Sequence, residues 1–145
     1  MKYPPPPHPS PSKPVFTPPP GACDAHVHVF GPSDLFPYHP GTTYKPVDAP
    51  KEKLRALHAL LGFDRSVIVQ ATCHGTDNSA TLDAIATSNG NWRGVAIVDE
   101  ESTERDFEVL HEGGIRGIRF SFARHLSGPP NFDRVHRIAE KIEGL

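Results

Sequence analysis

Four short apolar runs alternate with four amphipathic segments along this 145-residue chain, and this alternation constrains the fold more than any other feature. The runs are residues 23–30, 66–72, 94–98 and 115–122. A segment with apolar residues at helical spacing follows each of them. Strands that alternate with helices of this kind indicate right-handed βαβ crossovers and a parallel sheet. The sequence therefore predicts an α/β protein with four consecutive strand–helix units.

Residues that cap helices define the predicted helices. The first is expected over residues 48–61, with Asp48 as the N-cap, Gly62 after its end and an apolar face of Leu54, Leu57 and Leu61. The second starts after residue 77 and stops at residues 89–90. The third has a capping box of Thr103 and Asp106. The last starts near residue 133.

A proline-rich arm precedes the first strand–helix unit. Ten of the 17 prolines lie within residues 1–20. Proline lacks the backbone donor and has a fixed φ, so this arm can form neither a helix nor a central strand and is expected to be extended. We favour an arm that lies across its own domain or stays disordered; the alternative is a P-x-x-P ligand for an aromatic groove. The predicted organisation is an arm over residues 1–20 and one domain over residues 21–145.

Charge and composition exclude several classes of function. The net charge of −2 gives no basic excess for nucleic acid or for an anionic membrane surface. No apolar run approaches the roughly 18 to 20 residues of a membrane span, and the first ten residues contain no apolar signal region. Two cysteines do not make a disulfide framework. We therefore expect a cytoplasmic protein whose partner is neither nucleic acid nor membrane.

An Asp-x-His-x-His pattern, residues 24–28, ends the first predicted strand. Because side chains alternate along a strand, Asp24, His26 and His28 are predicted to share one face, with the intervening apolar residues beneath helices. Two imidazoles at this spacing can chelate a metal ion or flank a carbonyl group. The alternative is a pair of hydrogen-bonded core histidines. The residues predicted on the opposite face are Cys23, Ala25, Val27 and Val29.

Arginine on the fourth strand is a second candidate. Alternation places Arg119 on the face opposite Ile118 and Phe120, so it is predicted to point inward with the histidines. A buried guanidinium needs a carboxylate, either from a ligand or from the protein itself, for example Asp24. Two further basic residues, Arg124 and His125, follow just past the strand end.

The end of the second strand and the loop after the first add hydroxyl groups. Gln70, Thr72 and His74 are predicted to share a face, and Thr72 can donate to a ligand or satisfy the loop backbone. Cys73 is expected to be an ordinary thiol. Tyr44 can hang over the site, although surface packing is the simpler interpretation. Three other histidines are expected at the surface or in last helical turns: His58, His111 and His136.

Three of these segments together resemble a known family. They are DAHVH at residues 24–28, QATCHGTDN at residues 70–78 and GIRGIRFSF at residues 114–122. From about Gly21 onward the chain is similar to the amidohydrolase-related TIM-barrel hydrolases, and most of all to their 2-pyrone-4,6-dicarboxylate hydrolase branch. His-x-His is shared by that whole superfamily, whereas the other two segments are typical of the lactonase branch.

The resemblance implies a (β/α)₈ barrel, of which this chain supplies about four units, with the site at the carboxyl ends of the strands. His26 and His28 would lie beside the carbonyl of a dicarboxylate lactone from aromatic, lignin-derived catabolism. The residues that would contact the substrate are Tyr44, Thr72, Arg119 and either Arg124 or His125. A histidine and the aspartate base would come from later strands, so we expect this chain alone to show little turnover.

The resemblance also bears on cofactors. It implies no obligatory metal, with a single zinc on His26 and His28 as the alternative. Two rival functions stay open: a metal-dependent aromatic-acid decarboxylase of the same superfamily, and a non-catalytic module whose proline arm binds a partner. The expected partner is a small-molecule dicarboxylate lactone, and a homo-oligomer is compatible with the sequence.

Overall fold

A computed structural model describes residues 2–122 and 131–145 as a sheet of parallel strands covered by helices on one face. The strands are β1 (Cys23–Val27), β2 (Arg65–Val69), β3 (Trp92–Ala96) and β4 (Ile115–Ile118). The helices are α1 (Lys51–Leu61), α2 (Ser79–Ala86), α3 (Glu104–Glu112) and α4 (Phe132–Lys141), and a 3₁₀ turn (Thr72–His74) follows β2. The strands lie in the order β1-β2-β3-β4 and pair in parallel, which confirms the four predicted units.

The core lies between the sheet and its helices. In β2 and β3 every second residue points into it, and the helices contribute small and branched side chains that fill the space between them. We call this side of the sheet the outer face, and the opposite side the inner face. Residues of the core that are less than one tenth exposed include Leu54, Ile68, Ala84, Ile85, Trp92, Ala96, Phe107, Ile115 and Ile138.

A β-bulge in β1 changes which residues share a face. Asp24 pairs with Ser66 but Val27 pairs with Ile68, so β1 has one extra residue between these points. As a result Asp24 faces the helices, where its Oδ2 lies 3.2 Å from Nε2 of His58. The prediction that Asp24 shares a face with His26 and His28 is therefore wrong.

The bulge also explains two further errors. Cys23 and Ala25 were predicted to pack beneath helices, yet both are exposed. His58 was predicted at the surface or in a last helical turn; it lies in the last turn of α1, but it is 3% exposed and packs against Trp92 and Phe63. The contact with the Asp24 carboxylate offsets the cost of burying a polar imidazole in this part of the core.

The first helix differs from its prediction at its start. It begins at Lys51 after Pro50, and Asp48 does not cap it. The Asp48 carboxylate instead accepts hydrogen bonds from the hydroxyl of Tyr38, at 2.8 Å, and from the backbone of Ser33, at 3.0 Å. The buried residues of the helix are Leu54 and His58, while Leu57 is 37% exposed.

The other helices are close to their predictions. The capping box of α3 is confirmed, since Thr103 accepts from the backbone of Asp106 and the Asp106 carboxylate accepts from the backbone of Thr103. Strands β1 and β4 are shorter than the apolar runs of residues 23–30 and 115–122, because ladder pairing ends at Val27 and Ile118. No helix in the described part of the chain is long and apolar enough to cross a membrane.

The proline arm is extended and mostly exposed, and its beginning returns to the domain. The backbone N–H of Lys2 donates to the carbonyl of Thr43 at 3.0 Å, and the N–H of Lys45 donates to the carbonyl of Lys2 at 2.9 Å. These two bonds form one short parallel bridge between the arm and the loop that follows β1.

Candidate active site

Two side chains from opposite edges of the sheet converge on neighbouring carbonyl groups at the end of the second strand. His28 follows β1, and its Nδ1 lies 2.7 Å from the carbonyl oxygen of Val69. Arg119 follows β4, and its guanidinium donates to the carbonyl of Gln70 at 3.0 Å. Both side chains therefore cross the inner face at its carboxyl edge, as the alternation of the strands predicted. Asp24 lies on the other face, so the alternative pairing of Arg119 with Asp24 is wrong.

The convergence determines the protonation of His28. Burial lowers the pKa of His28 and is the largest effect. The hydrogen bond to the Val69 carbonyl opposes it, and the charges of Arg119 and His26, each a smaller effect, lower the pKa further. Because a carbonyl can only accept a hydrogen bond, Nδ1 carries the proton. In the neutral ring Nε2 then offers a lone pair to the inner face.

His26 lies beside His28 on this face. The two ring centroids are 5.2 Å apart and the ring planes are nearly perpendicular. His26 is exposed whereas His28 is partly buried. Of the two, His26 is thus the imidazole that is open to solvent.

Tyr44 and Thr72 meet at the same edge of the sheet. Their hydroxyl oxygens are 3.1 Å apart, and burial raises the pKa of the Tyr44 phenol. The backbone N–H of His39 donates to the carbonyl of Cys73 at 2.8 Å, which ties the loop after β1 to the turn after β2. Thr72 therefore contacts Tyr44, and burial raises the pKa of the Cys73 thiol, as suits an unreactive cysteine.

Gln70 and His74 are structural residues, contrary to the prediction that they share a face with Thr72. Alternation stops where β2 ends and the 3₁₀ turn begins. The Gln70 side chain accepts from Thr81 on α2, at 2.7 Å, and donates to the carbonyl of Asp77 at 2.7 Å. The Nε2 atom of His74 accepts from the backbone of Gly31 at 3.2 Å.

These contacts hold the loops on which the candidate site depends. The sequence gives no signal for the carbonyl groups of Val69 and Gln70 that receive His28 and Arg119, since every residue has a carbonyl group. The polar residues of the segment at 70–78 did mark this region in the sequence, but Gln70 and His74 anchor the loops there.

The remaining predicted residues can be placed only in part. Arg124 and His125 lie outside the described residues. Within residues 2–122 and 131–145, no group of three or more histidine, cysteine or acidic residues is arranged to hold a metal ion. The lone pair on Nε2 of His28 and the ring of the neighbouring His26 fit two ligands of a divalent metal, and a tetrahedral zinc would need further ligands.

Comparisons with known proteins agree with this arrangement. The sequence profile of the amidohydrolase family matches residues 23–145. The chain is 48% identical over 136 residues to a 2-pyrone-4,6-dicarboxylate hydrolase of Comamonas testosteroni, covering 94% of the chain and 45% of that relative. It is 40% identical over 132 residues to a 4-sulfomuconolactone hydrolase of Rhizobium radiobacter, covering 88% and 44%.

A solved structure also resembles this chain in its fold. The crystal structure of a probable 2-pyrone-4,6-dicarboxylic acid hydrolase from Acinetobacter baumannii, with citric acid bound, superposes with a TM-score of 0.70 at 26% identity, covering 83% of this chain and 45% of that one. This chain spans a little under half the length of the curated relatives it matches. Its four strand–helix units are part of a (β/α)₈ barrel, and the chain belongs to the amidohydrolase family.

Proposed function

We propose that this chain carries substrate-binding groups of a hydrolase that opens a carboxylated lactone, as in the breakdown of lignin-derived aromatic compounds. The observation that carries the proposal is the convergence of His28 and Arg119 on the carbonyls of Val69 and Gln70. It places a cation and an imidazole acceptor side by side at the carboxyl edge of the sheet, where barrel enzymes bind their substrates.

Arg119 is proposed to bind a carboxylate of the substrate. Its guanidinium has five N–H donors, and the contact with Gln70 fixes the fork in place. Among residues 2–122 and 131–145, no carboxylate forms an ion pair with it. A fixed, half-buried guanidinium is suited to hold a planar carboxylate through two hydrogen bonds.

The two histidines are proposed to have different tasks. His26 is exposed and can donate a hydrogen bond to the lactone carbonyl as negative charge develops on it. His28, with its proton on Nδ1, presents an acceptor at Nε2 and is suited to hold the attacking water. Tyr44 and Thr72 would add hydroxyl donors to the same substrate.

The general base is proposed to lie in a part of the barrel outside these four units. The acidic residue nearest to the histidines in sequence, Asp24, is engaged with His58 on the outer face. The engagement of Asp24 with His58 therefore supports the expectation that the base comes from a later strand and that this chain alone has little turnover.

The names of the relatives support the substrate class. Two of them are hydrolases of carboxylated or sulfonated lactones, and the Acinetobacter structure holds citrate, which is also a polycarboxylate. Cytoplasmic location, self-association and the second carboxylate contact by Arg124 or His125 stay predictions.

A metal-dependent decarboxylase is the second candidate, because the free lone pair of His28 is also a metal ligand. His26 and His28 would hold the ion, which when bound would polarise a carbonyl group and acidify a water molecule. Metal analysis of the purified chain, before and after chelation, separates the two: stoichiometric zinc would favour the decarboxylase.

The binding proposal is tested by titrating the chain with 2-pyrone-4,6-dicarboxylate in a calorimeter. Arg119→Met should weaken binding about tenfold or more, because a charge-assisted contact is lost. Arg116→Met is the matched control, since Arg116 is exposed on the strand that precedes Arg119 and donates to the carbonyls of His111 and Ile115. Equal binding by the wild-type chain and Arg119→Met would contradict the proposal, as would absence of binding by the wild-type chain.

A further inference from the structure

The beginning of the proline arm forms one wall of a groove beside the candidate site. The groove has a volume of about 1040 Å³ and is lined by Lys2, Pro4–Pro7, Phe30, Tyr44, Pro46 and Val47, among others. Its size is that of a small-molecule site. The arm wall is held in place by the two backbone hydrogen bonds between Lys2 and the loop at residues 43–45.

The groove adjoins the site through two residues. Tyr44 lines the groove and also contacts Thr72. Phe30 lines the groove, and its ring centroid is 5.9 Å from that of His28. A planar molecule that lies along Phe30 and Tyr44 would therefore be next to the imidazole groups of the candidate site.

The chemistry of the lining defines the ligand that would fit. Proline and aromatic side chains offer flat apolar surfaces, and a proline wall loses little conformational entropy when a ligand packs on it. Lys2 contributes a positive charge, and none of the lining residues that the structure describes is acidic. The nearby Asp48 carboxylate is engaged with Ser33 and Tyr38. The groove is thus suited to a flat, negatively charged ring.

We propose that the arm segment Lys2–Pro7 is a specificity-determining wall of the substrate entrance, and that Lys2 binds a carboxylate of a planar ring acid as it enters. This inference rests on the proposed function, because it gives the arm the same class of ligand. It assigns the arm a role in binding small molecules, in place of a partner protein.

The test uses isophthalate, a planar benzene dicarboxylate without a hydrolysable bond, in an NMR titration of the 145-residue chain. We expect the ring signals of Phe30 and Tyr44 to shift. Lys2→Ala should weaken this response about two- to fivefold, which is the range for one exposed charge pair. Removal of residues 2–7 should abolish it, and an unchanged Trp92 indole signal shows that the truncated chain is folded.

Lys13→Ala is the matched control, since Lys13 is the other basic residue of the arm and lies outside the groove lining. It should titrate like the wild-type chain. The proposal is overturned if the groove signals do not shift in the wild-type chain, or if Lys2→Ala and the truncated chain both respond as the wild-type chain does. If isophthalate shifts the His28 signals but not the groove signals, the proposed function is supported and the role of the arm in binding is rejected. If isophthalate shifts the groove signals but the chain does not bind 2-pyrone-4,6-dicarboxylate in the calorimeter, the role of the arm is supported and the proposed function is rejected.

Discussion

The two faces of the sheet are built from the same four strands but differ in how they are completed. On the outer face, Ile68 is fully buried among helix side chains. On the inner face, Val67 is only partly buried, and the largest polar groups, His28 and Arg119, lie over the carbonyls of β2. The outer face therefore holds the buried apolar core, and the inner face carries the candidate site.

The difference shows where substitutions are expected to matter. A barrel strand packs one side against helices and directs the other toward the barrel interior. Substitutions on the outer face should change the free energy of unfolding. Substitutions on the inner face should change binding and titration with little effect on stability, and each prediction below compares one face with the other.

The largest effect is expected for Ile68→Ala. Removing three carbons from a fully buried side chain should destabilise the chain by about 2–5 kcal/mol, because a cavity remains. Val67→Ala, which removes two carbons from the neighbouring residue on the inner face, should cost about 1 kcal/mol or less. Urea denaturation measures both, and equal losses would show that the inner face is as tightly covered as the outer one.

Two strand glycines make a second matched pair. A Cβ added at Gly94 would lie 2.5 Å from Cδ1 of Ile115 and 2.7 Å from Cδ1 of Ile85 on the outer face. Gly94→Ala should therefore cost about 1–3 kcal/mol through overpacking. A Cβ at Gly117 would approach Val95 no closer than 3.6 Å, an ordinary contact. Thermal unfolding should leave Gly117→Ala near the wild-type chain, and a large loss there would contradict the assignment of faces.

The third comparison concerns the bulge in β1. Asp24→Ala removes the partner of a buried imidazole, so we expect a loss of about 1–2 kcal/mol in the free energy of unfolding. The Nδ1 atom of His58 already has no hydrogen-bond partner in the described part of the chain, which leaves this ring without any polar contact in the variant. Asp34→Ala, at an exposed position in the next loop, should be neutral. If Asp24 instead faced the histidines, its removal would alter the titration of His28.

The order of strands and helices could be predicted from the sequence because it depends on periodicity. Ile118 and Phe120, on either side of Arg119 in sequence, pack against the core. Alternation therefore predicts Arg119 on the inner face, and it is found there. The capping box of Thr103 and Asp106 could be predicted for a similar reason, since it depends on two residues three positions apart.

The errors about strand faces have one physical origin, which is that alternation fails wherever a strand bulges or ends. The extra residue in β1 moves Asp24 to the outer face, and the 3₁₀ turn after Val69 separates Gln70 from Thr72. Neither a bulge nor an early strand end has a signature in these residues. The hydrogen bond between His28 and the Val69 carbonyl could not be predicted either, because it depends on the distance between two strands and not on any particular side chain.

The smallest effect, and the most direct measure of the inner face, is the titration of His28. Burial and the charge of Arg119 lower its pKa below the ordinary value of 6.5, so Arg119→Met should raise it toward that value. His74 is an internal control, because burial lowers its pKa without a contribution from Arg119. Between the folded pKa and pH 6.5 the unfolded chain binds more protons, so stability is complete above pH 6.5 and is lost as the pH falls through this window. NMR titration of the ring protons follows both residues. If the His28 pKa is the same in Arg119→Met as in the wild-type chain, the two side chains do not converge at the end of β2. That result would contradict the description of the inner face.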